Sequence, residues 1–281
     1  MKTYLDCIPC FFNQALRAGR IATKDEKKIR KLLDEIGLML KDIPFESTPP
    51  ETGMLIYEKV REITGNFDTY EKIKRKSTEE ALALYPILKN EVKKSDDKLL
   101  TAIRIAIGGN VIDFGINRKF NIEEEIYKVL KKDFAIFDYD KFKDYLNKTD
   151  EILYIGDNAG ETVFDRILIE EMKKPVIYVV RGIPVINDVT YKDAIQAGID
   201  KVATIISSGT SAPGTVLKTC NTKFKETYKH SKFVISKGQG NYEALSDEKQ
   251  RIFFLLMAKC QVIANNIGVK KDDIVLKGIN M

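Results

Sequence analysis

The alternation of apolar and polar positions changes character near residue 150. Before it, apolar residues recur every three or four positions, the spacing of one helix face; after it, short apolar runs alternate with helical stretches. The first part predicts amphipathic helices from Thr3 to about Thr23, from Asp25 to Asp42 and from Glu51 to Thr64, with Gly65 and Asn66 as a C-terminal cap. Pro44, Pro49 and Pro50 mark a loop before the third of these. A basic helical segment follows from Thr69 to Leu84, then helix through Leu88 and from Asp97 to Ile107. Gly108 to Gly115 interrupts the series, and helical periodicity returns over residues 121–149.

Beyond Asp150 the pattern predicts strands at Ile152–Ile155, Val176–Val180, Val202–Ile206 and Phe233–Ile235, each followed by a loop and a helix. A last helix is expected from Asp247 to Ile267, and a short final strand at Asp273–Lys277. Apolar strands alternating with helices imply parallel βαβ units in a sheet covered on both faces. The expected fold is therefore α/β. A Rossmann-like, mainly parallel sheet over residues 151–281 packs against an all-helical N-terminal region over residues 1–150. Right-handed crossovers place the strand-exit loops along one edge.

Composition narrows the function. The chain has 281 residues, enough for one or two domains, and its 44% hydrophobic content excludes disorder. A net charge of +5 comes from 46 basic and 41 acidic residues that are interspersed, which describes a solvated surface and not the basic stripe of a nucleic-acid-binding domain. No run reaches the ~18 apolar residues of a membrane span. Asp6, Cys7 and Cys10 sit where a signal peptide needs a clean apolar core, and four irregularly spaced cysteines make no secreted disulfide framework. The expected location is the cytoplasm, with no nucleic-acid and no membrane partner; oligomeric state is left open. His230, the only histidine, lies in a lysine-rich segment, which argues against multi-histidine metal sites and Ser-His-Asp or Cys-His catalysis.

Chemistry must then rest on carboxylates, amides, lysines or a metal. The stretch Glu151-Ile-Leu-Tyr-Ile-Gly-Asp-Asn-Ala-Gly-Glu161 leaves the first strand through Gly156 and presents Asp157 and Asn158 at the edge where open α/β sheets bind ligands. Asp188 closes the loop after the second strand. Asp157 and Asp188 also read as helix caps, but capping does not explain adjacent Asp157 and Asn158 with a second loop converging on them. Together they form a hard-oxygen set suited to Mg²⁺ or Mn²⁺ with room for a phosphate oxygen. The small-residue loops at Ser207, Ser208 and Gly209 and at Lys237 and Gly238 suit a phosphate cradle. From the helical side, Arg75, Asn110 and Asp113 are candidates for the cleft, although the glycine-flanked Asn110 and Asp113 also fit ordinary turn chemistry. Cys7-Ile-Pro-Cys10 lies in a helical pattern and not after a strand, which argues against a thioredoxin-type role, and no second CxxC completes a zinc ribbon. Cys220 or Cys260 completing a cluster or disulfide, and plain buried cysteines, stay as alternatives.

In order along the chain, Asp6-Cys-Ile-Pro-Cys10, Gly109-Asn-Val-Ile-Asp-Phe114, Gly156-Asp-Asn-Ala-Gly-Glu161, Asn187-Asp188, Lys237-Gly-Gln-Gly-Asn241 and Lys259-Cys260 resemble the metal-dependent damage-control phosphatases. These were long catalogued as domain of unknown function eighty-nine, and the chain looks like the CxxC-bearing branch. The resemblance implies a Rossmann-like domain with a helical partner and a divalent cation (Mg²⁺, Mn²⁺, Co²⁺ or Ni²⁺) on Asp157, Asn158 and Asp188. It implies Lys237 on the phosphate and hydrolysis of a small phosphorylated metabolite such as a sugar phosphate, nucleotide or phosphopantetheine derivative. In this scheme Glu161, at the helix start, orients the attacking water. One departure is Phe67-Asp-Thr-Tyr70, where the family often has Asp-Pro-Tyr. The competing readings are an S-adenosylmethionine-dependent carboxyl methyltransferase and a non-catalytic sensor of a phosphometabolite. For the methyltransferase, Gly156 to Gly160 offers only two glycines, and the second strand ends on Arg181 where the ribose needs an acid.

Overall fold

The computed structural model describes residues 1–109, 127, 128 and 130–281, so Asn110 and Asp113 lie outside the described residues. Three helices, α1 (Cys7–Ala22), α2 (Glu26–Leu40) and α3 (Pro49–Thr64), share a core of their own built on Phe11, Ala15, Leu32, Ile36, Ile56 and Val60. The Asp25 carboxylate starts α2 by accepting from the Lys27 and Lys28 amides. The third helix begins two residues before the expected Glu51. Proline costs nothing at the first helical positions, where the amide has no partner, and Thr48 with Glu51 forms a capping box.

Helices α4 (Glu71–Lys94) and α5 (Lys98–Gly108) lie on the sheet instead. The remaining elements are β1 (Phe134–Phe137), α6 (Tyr139–Lys148), β2 (Ile152–Ile155), α7 (Thr162–Met172), β3 (Val176–Val180), α8 (Tyr191–Ala197), β4 (Thr204–Ser207), α9 (Thr222–His230), β5 (Val234–Lys237), α10 (Gln239–Leu245), β6 (Ile252–Met257), α11 (Gln261–Ile267) and β7 (Ile274–Ile279). The architecture is the expected α/β fold with a mostly parallel sheet. Its seven strands run in the order β1-β7-β6-β5-β2-β3-β4. The five strands from β6 to β4 are parallel, β7 is antiparallel to β6, and β1 pairs parallel with β7.

Both faces of the sheet are covered, and the strand side chains alternate between them. Ile152 and Tyr154 face the core formed with α4 to α8, whereas Leu153 and Ile155 face the one formed with α9 to α11. Each fully buried aliphatic side chain of this kind contributes roughly 1.5–3 kcal/mol of transfer free energy.

Two segments differ from the sequence expectation. Residues 247–267 are not one helix. Ile252 to Met257 form β6, buried on both faces, and only Gln261–Ile267 is helical. A continuous apolar run carries no period that separates a buried strand from a buried helix, and the Leu and Met within it favour helix intrinsically. Residues 134–137, expected as helix, form β1, whose burial alternates residue by residue. The short final strand is present as β7.

The chain runs β2, β3, β4 outward and then returns to place β5 on the other side of β2. The connections from β2 and β5 therefore diverge, leaving a crevice at the carboxyl ends of these two strands, the place where doubly wound sheets bind ligands.

Candidate active site

At that crevice β2 ends at Gly156, where an added Cβ would lie 2.5 Å from the Tyr178 hydroxyl, so the chain passes close enough to bring Asp157 over the strand ends. The following loop is pinned to the β3 loop: the Ala159 amide donates to the Asn187 carbonyl at 2.9 Å, and the Val189 amide to the Asp157 carbonyl at 2.8 Å. This lattice places Asp157, Asn158 and Asp188 side by side, as their positions after adjacent strands require.

Asn241 holds the surrounding loops. Its amide nitrogen donates to the Gly156 carbonyl at 3.0 Å and the Lys237 carbonyl at 2.7 Å, and its oxygen accepts from the Thr215 amide and from Arg181. Arg181 is fully buried; its Nε donates to Asp188 Oδ2 at 2.7 Å and its Nη1 to Thr215 at 3.0 Å. Asp188 thus has one oxygen on Arg181 while the residue lines the crevice.

The site is acidic and buried. Asp157, Asp188 and Glu161 are all buried, and the Asn158 amide nitrogen bridges Asp157 at 3.2 Å and Glu161 at 2.6 Å. Burial pushes the Asp157 carboxyl well above its usual range, and the charges of Glu161 and Asp188 push it further, against the pull of Lys259 and Arg181. Burial also raises Asp188, in spite of the neighbouring Arg181. Clustered carboxylates at this cost make the crevice a candidate place for a cation. Among the described residues no three Asp, Glu, His or Cys side chains are grouped to hold a metal by themselves. The donor set that fits is two carboxylates, Asp157 and Asp188, plus the Asn158 amide oxygen, which its two donated bonds leave unused.

Lys237 stands behind this cluster. It is fully buried, with its ammonium 2.6 Å from Asp165 Oδ1, 2.7 Å from the Ala106 carbonyl and 3.5 Å from Glu161 Oε2. Burial works to lower its pKa, but Asp165, Glu161 and Asp157 together hold it above the ordinary lysine value.

The crevice opens into a cavity of about 490 Å³. Its far wall comes from the helical unit: Cys7, Cys10, Phe11, Gln14 and Arg17 on α1, Tyr57 on α3, and Ile73 and Ser77 on α4. The near wall carries Asp157, Asn158, Glu161, Asn187 and Asp188, with Gln239, Glu243 and Lys259 beside them. The other sequence candidates sit elsewhere. Arg75 is exposed on α4 with Glu79 3.8 Å away and is not part of this wall. The Ser208 hydroxyl donates to the Val180 carbonyl at 2.9 Å, and Ser207 lines a separate depression with Arg181 and Gly182. Gly209, exposed, and Gly238, packed on Asp157, are outside the wall as well, and it is Pro213 that the 207–214 loop contributes.

Lys259 and Arg17 are the basic residues of the cavity wall, and neither was among the sequence candidates. Lys259 entered the sequence reading only within the Lys259-Cys260 match, with no role, because the expected helix over residues 247–267 gave it no place at the sheet edge. With β6 recognised as a strand parallel to β5, residue 259 falls at its exit, on the same edge as Asp157.

A family model described as the damage-control phosphatase ARMT1-like domain matches residues 3–275. The chain belongs to this family. Among its relatives in the family are a damage-control phosphatase from Pyrococcus horikoshii, 36% identical over 98% of this chain and 97% of that protein, and a damage-control phosphatase from Archaeoglobus fulgidus, 33% identical over 99% of both. A crystal structure of a DUF89 family protein from Pyrococcus horikoshii superposes with a TM-score of 0.90 at 35% identity, covering 98% of each chain.

Proposed function

We propose that this chain is a divalent-metal-dependent phosphatase of small phosphomonoesters, such as sugar phosphates, nucleotides or phosphopantetheine-type damaged metabolites. The observation that carries the proposal is buried Asp157 and Asp188 with half-buried Asn158 between them, all lining a cavity of metabolite size. The names of its relatives support the reaction class. In this reading Asp157, Asn158 and Asp188 hold Mg²⁺, Mn²⁺, Co²⁺ or Ni²⁺. Bound there, the ion supplies Lewis-acid polarisation of the phosphoryl group.

The chain's own residues do the rest. Lys259, on the cavity wall near Asp157, takes negative charge on the phosphate, a role proposed here in place of a direct contact from the buried Lys237. Glu161 accepts from Asn158, which sets the amide's orientation, and its carboxylate orients the attacking water. Lys237 balances the charges of Glu161 and Asp165. Phe11, Tyr57 and Ile73 give the leaving group an apolar wall that excludes water. Arg181 occupies the end of β3 where methyl transfer needs a ribose-binding acid, which speaks against that alternative. The cavity also serves as the working boundary between a helical region, residues 1–150, and an α/β region, residues 151–281, with β1 and α6 built into the second. A cytoplasmic location is supported by the irregular spacing of the four cysteines, which makes no secreted disulfide framework.

The test is phosphate release from a panel of phosphomonoesters by metal-stripped protein resupplied with each ion. Activity should require the ion, and Asp157→Asn should lower it by about 100-fold or more. Equal activity in the two proteins, or indifference to chelator, rejects the proposal. Ion-dependent ligand binding without phosphate release selects the sensor.

A further inference from the structure

Three of the chain's four cysteines, Cys7, Cys10 and Cys260, line the cavity, although Cys260 lies some 250 residues from the other two. All are free thiols. Nothing in the proposed hydrolysis uses them. We infer that Cys7 and Cys10 are a redox-active pair in the cavity wall, which exchanges with a small-molecule disulfide of the glutathione class and closes into an intramolecular disulfide.

The geometry fits. The two residues are three apart in the first turn of α1, which sets their Cα atoms about 5 Å apart, inside the range a disulfide spans. Amides of a first turn have no intrahelical acceptor, and Pro9 has no amide hydrogen at all, so this turn tightens without breaking the helical ladder. The helical setting that argues against a thioredoxin-type enzyme is thus no obstacle to the cross-link.

The two thiols have distinct surroundings. Cys10 is exposed, which makes its sulfur the one a small disulfide reaches first, and that sulfur accepts from Gln14 Nε2 at 3.3 Å. Cys7 is half-buried; burial chiefly, then Glu243, Cys10 and Cys260, raises its pKa and keeps it a thiol. Glu243 lines the same cavity as Cys7, and burial has pushed its own carboxyl up to about 7, which suits it to accept the Cys7 proton. The Cys10 thiolate attacks one sulfur of the small disulfide, forming a mixed disulfide and expelling a thiolate that takes up the proton Cys10 released. Cys7 then passes its proton to Glu243, and its sulfur attacks the Cys10 sulfur. The second thiolate leaves and collects that proton. Two cysteines are oxidised and one small disulfide is reduced to two thiols.

Because both sulfurs face the cavity, closure changes the wall that holds the leaving group; this consequence rests on the phosphatase reading, whereas the cross-link does not. The experiment equilibrates the full-length protein with reduced and oxidised glutathione, quenches by alkylation and maps the peptides by mass, with phosphate release from p-nitrophenyl phosphate measured in parallel. The expected result is a Cys7–Cys10 link lacking two hydrogens, with Cys220 still alkylated after denaturation. Phosphate release should fall about threefold or more and recover with dithiothreitol. Cys10→Ser should abolish both the link and the oxidative loss, and Cys260→Ser should keep the link. Free thiols in excess oxidised glutathione, a stable mixed disulfide on Cys10, or a Cys7–Cys260 link overturns the pair. A link that leaves phosphate release unchanged overturns the control of activity. No release from the reduced protein overturns the phosphatase reading, while the mass map still decides the cross-link.

Discussion

Gly238 and Asp157 touch so closely that each limits the other. An added Cβ at Gly238 would lie 1.9 Å from Asp157 Oδ2, and its φ of +79° is one that side-chain-bearing residues rarely adopt. Gly238→Ala should therefore cost about 2–4 kcal/mol in chemical denaturation and abolish phosphate release, since relief of the clash moves a site carboxylate. Glu243 gives a prediction in pH. Its carboxyl rises from an ordinary 4.5 to about 7 in the folded protein, so between these values the native state binds more protons than the unfolded chain. Stability from this residue is fully present below 4.5 and is lost as pH rises through 7. Glu243→Gln should then be more stable than wild type at pH 8, by on the order of 2 kcal/mol, and the two melting curves should converge at acid pH. The metal-site candidates were readable from sequence because Asp157, Asn158 and Asp188 follow adjacent strands, and the chemistry of oxygen donors needs no tertiary knowledge. Glu243 was not readable, because its burial comes from tertiary packing around α10, which lies against α3.

The βαβ elements were readable for the same reason: four apolar runs of strand length with polar loops between them. Besides β1, the element missed was β6, where the run has no polar position to set a period, and with it the place of Lys259 at a strand exit. Lys237, read from its place in a glycine-rich loop as a phosphate contact, lies behind the cavity wall. Its position on β5 buries it against α7, where Asp165 also accepts from the Tyr154 and Tyr178 hydroxyls at 2.8 Å. Lys237→Met leaves two buried carboxylates beside an apolar group and should lower stability by about 3–5 kcal/mol in urea titrations. An unchanged stability with a raised KM would instead make Lys237 a substrate contact.

Across the whole molecule, the helical region is clamped to the sheet through α4. Lys74 is buried with its ammonium 2.9 Å from both Asp68 and Asp193, and Asp193 belongs to the capping box of α8. The sequence shows only a basic helical stretch at this point, and the interleaved charges gave no sign that one lysine faces inward. Lys74→Met should destabilise the protein by about 3 kcal/mol and raise KM, because the same turns carry Ile73 and Ser77 into the cavity wall. The order of the strands has a further consequence, for synthesis. β1 is held by β7, and Asp138, just after it, accepts from the Gly278 amide 140 residues later. On the ribosome, at about 5–20 residues per second, that edge waits several seconds or more for its partner. Throughout that interval Phe134 and Ile136 present an unpaired strand to any neighbouring nascent chain, so this edge is where a translation pause should seed aggregation.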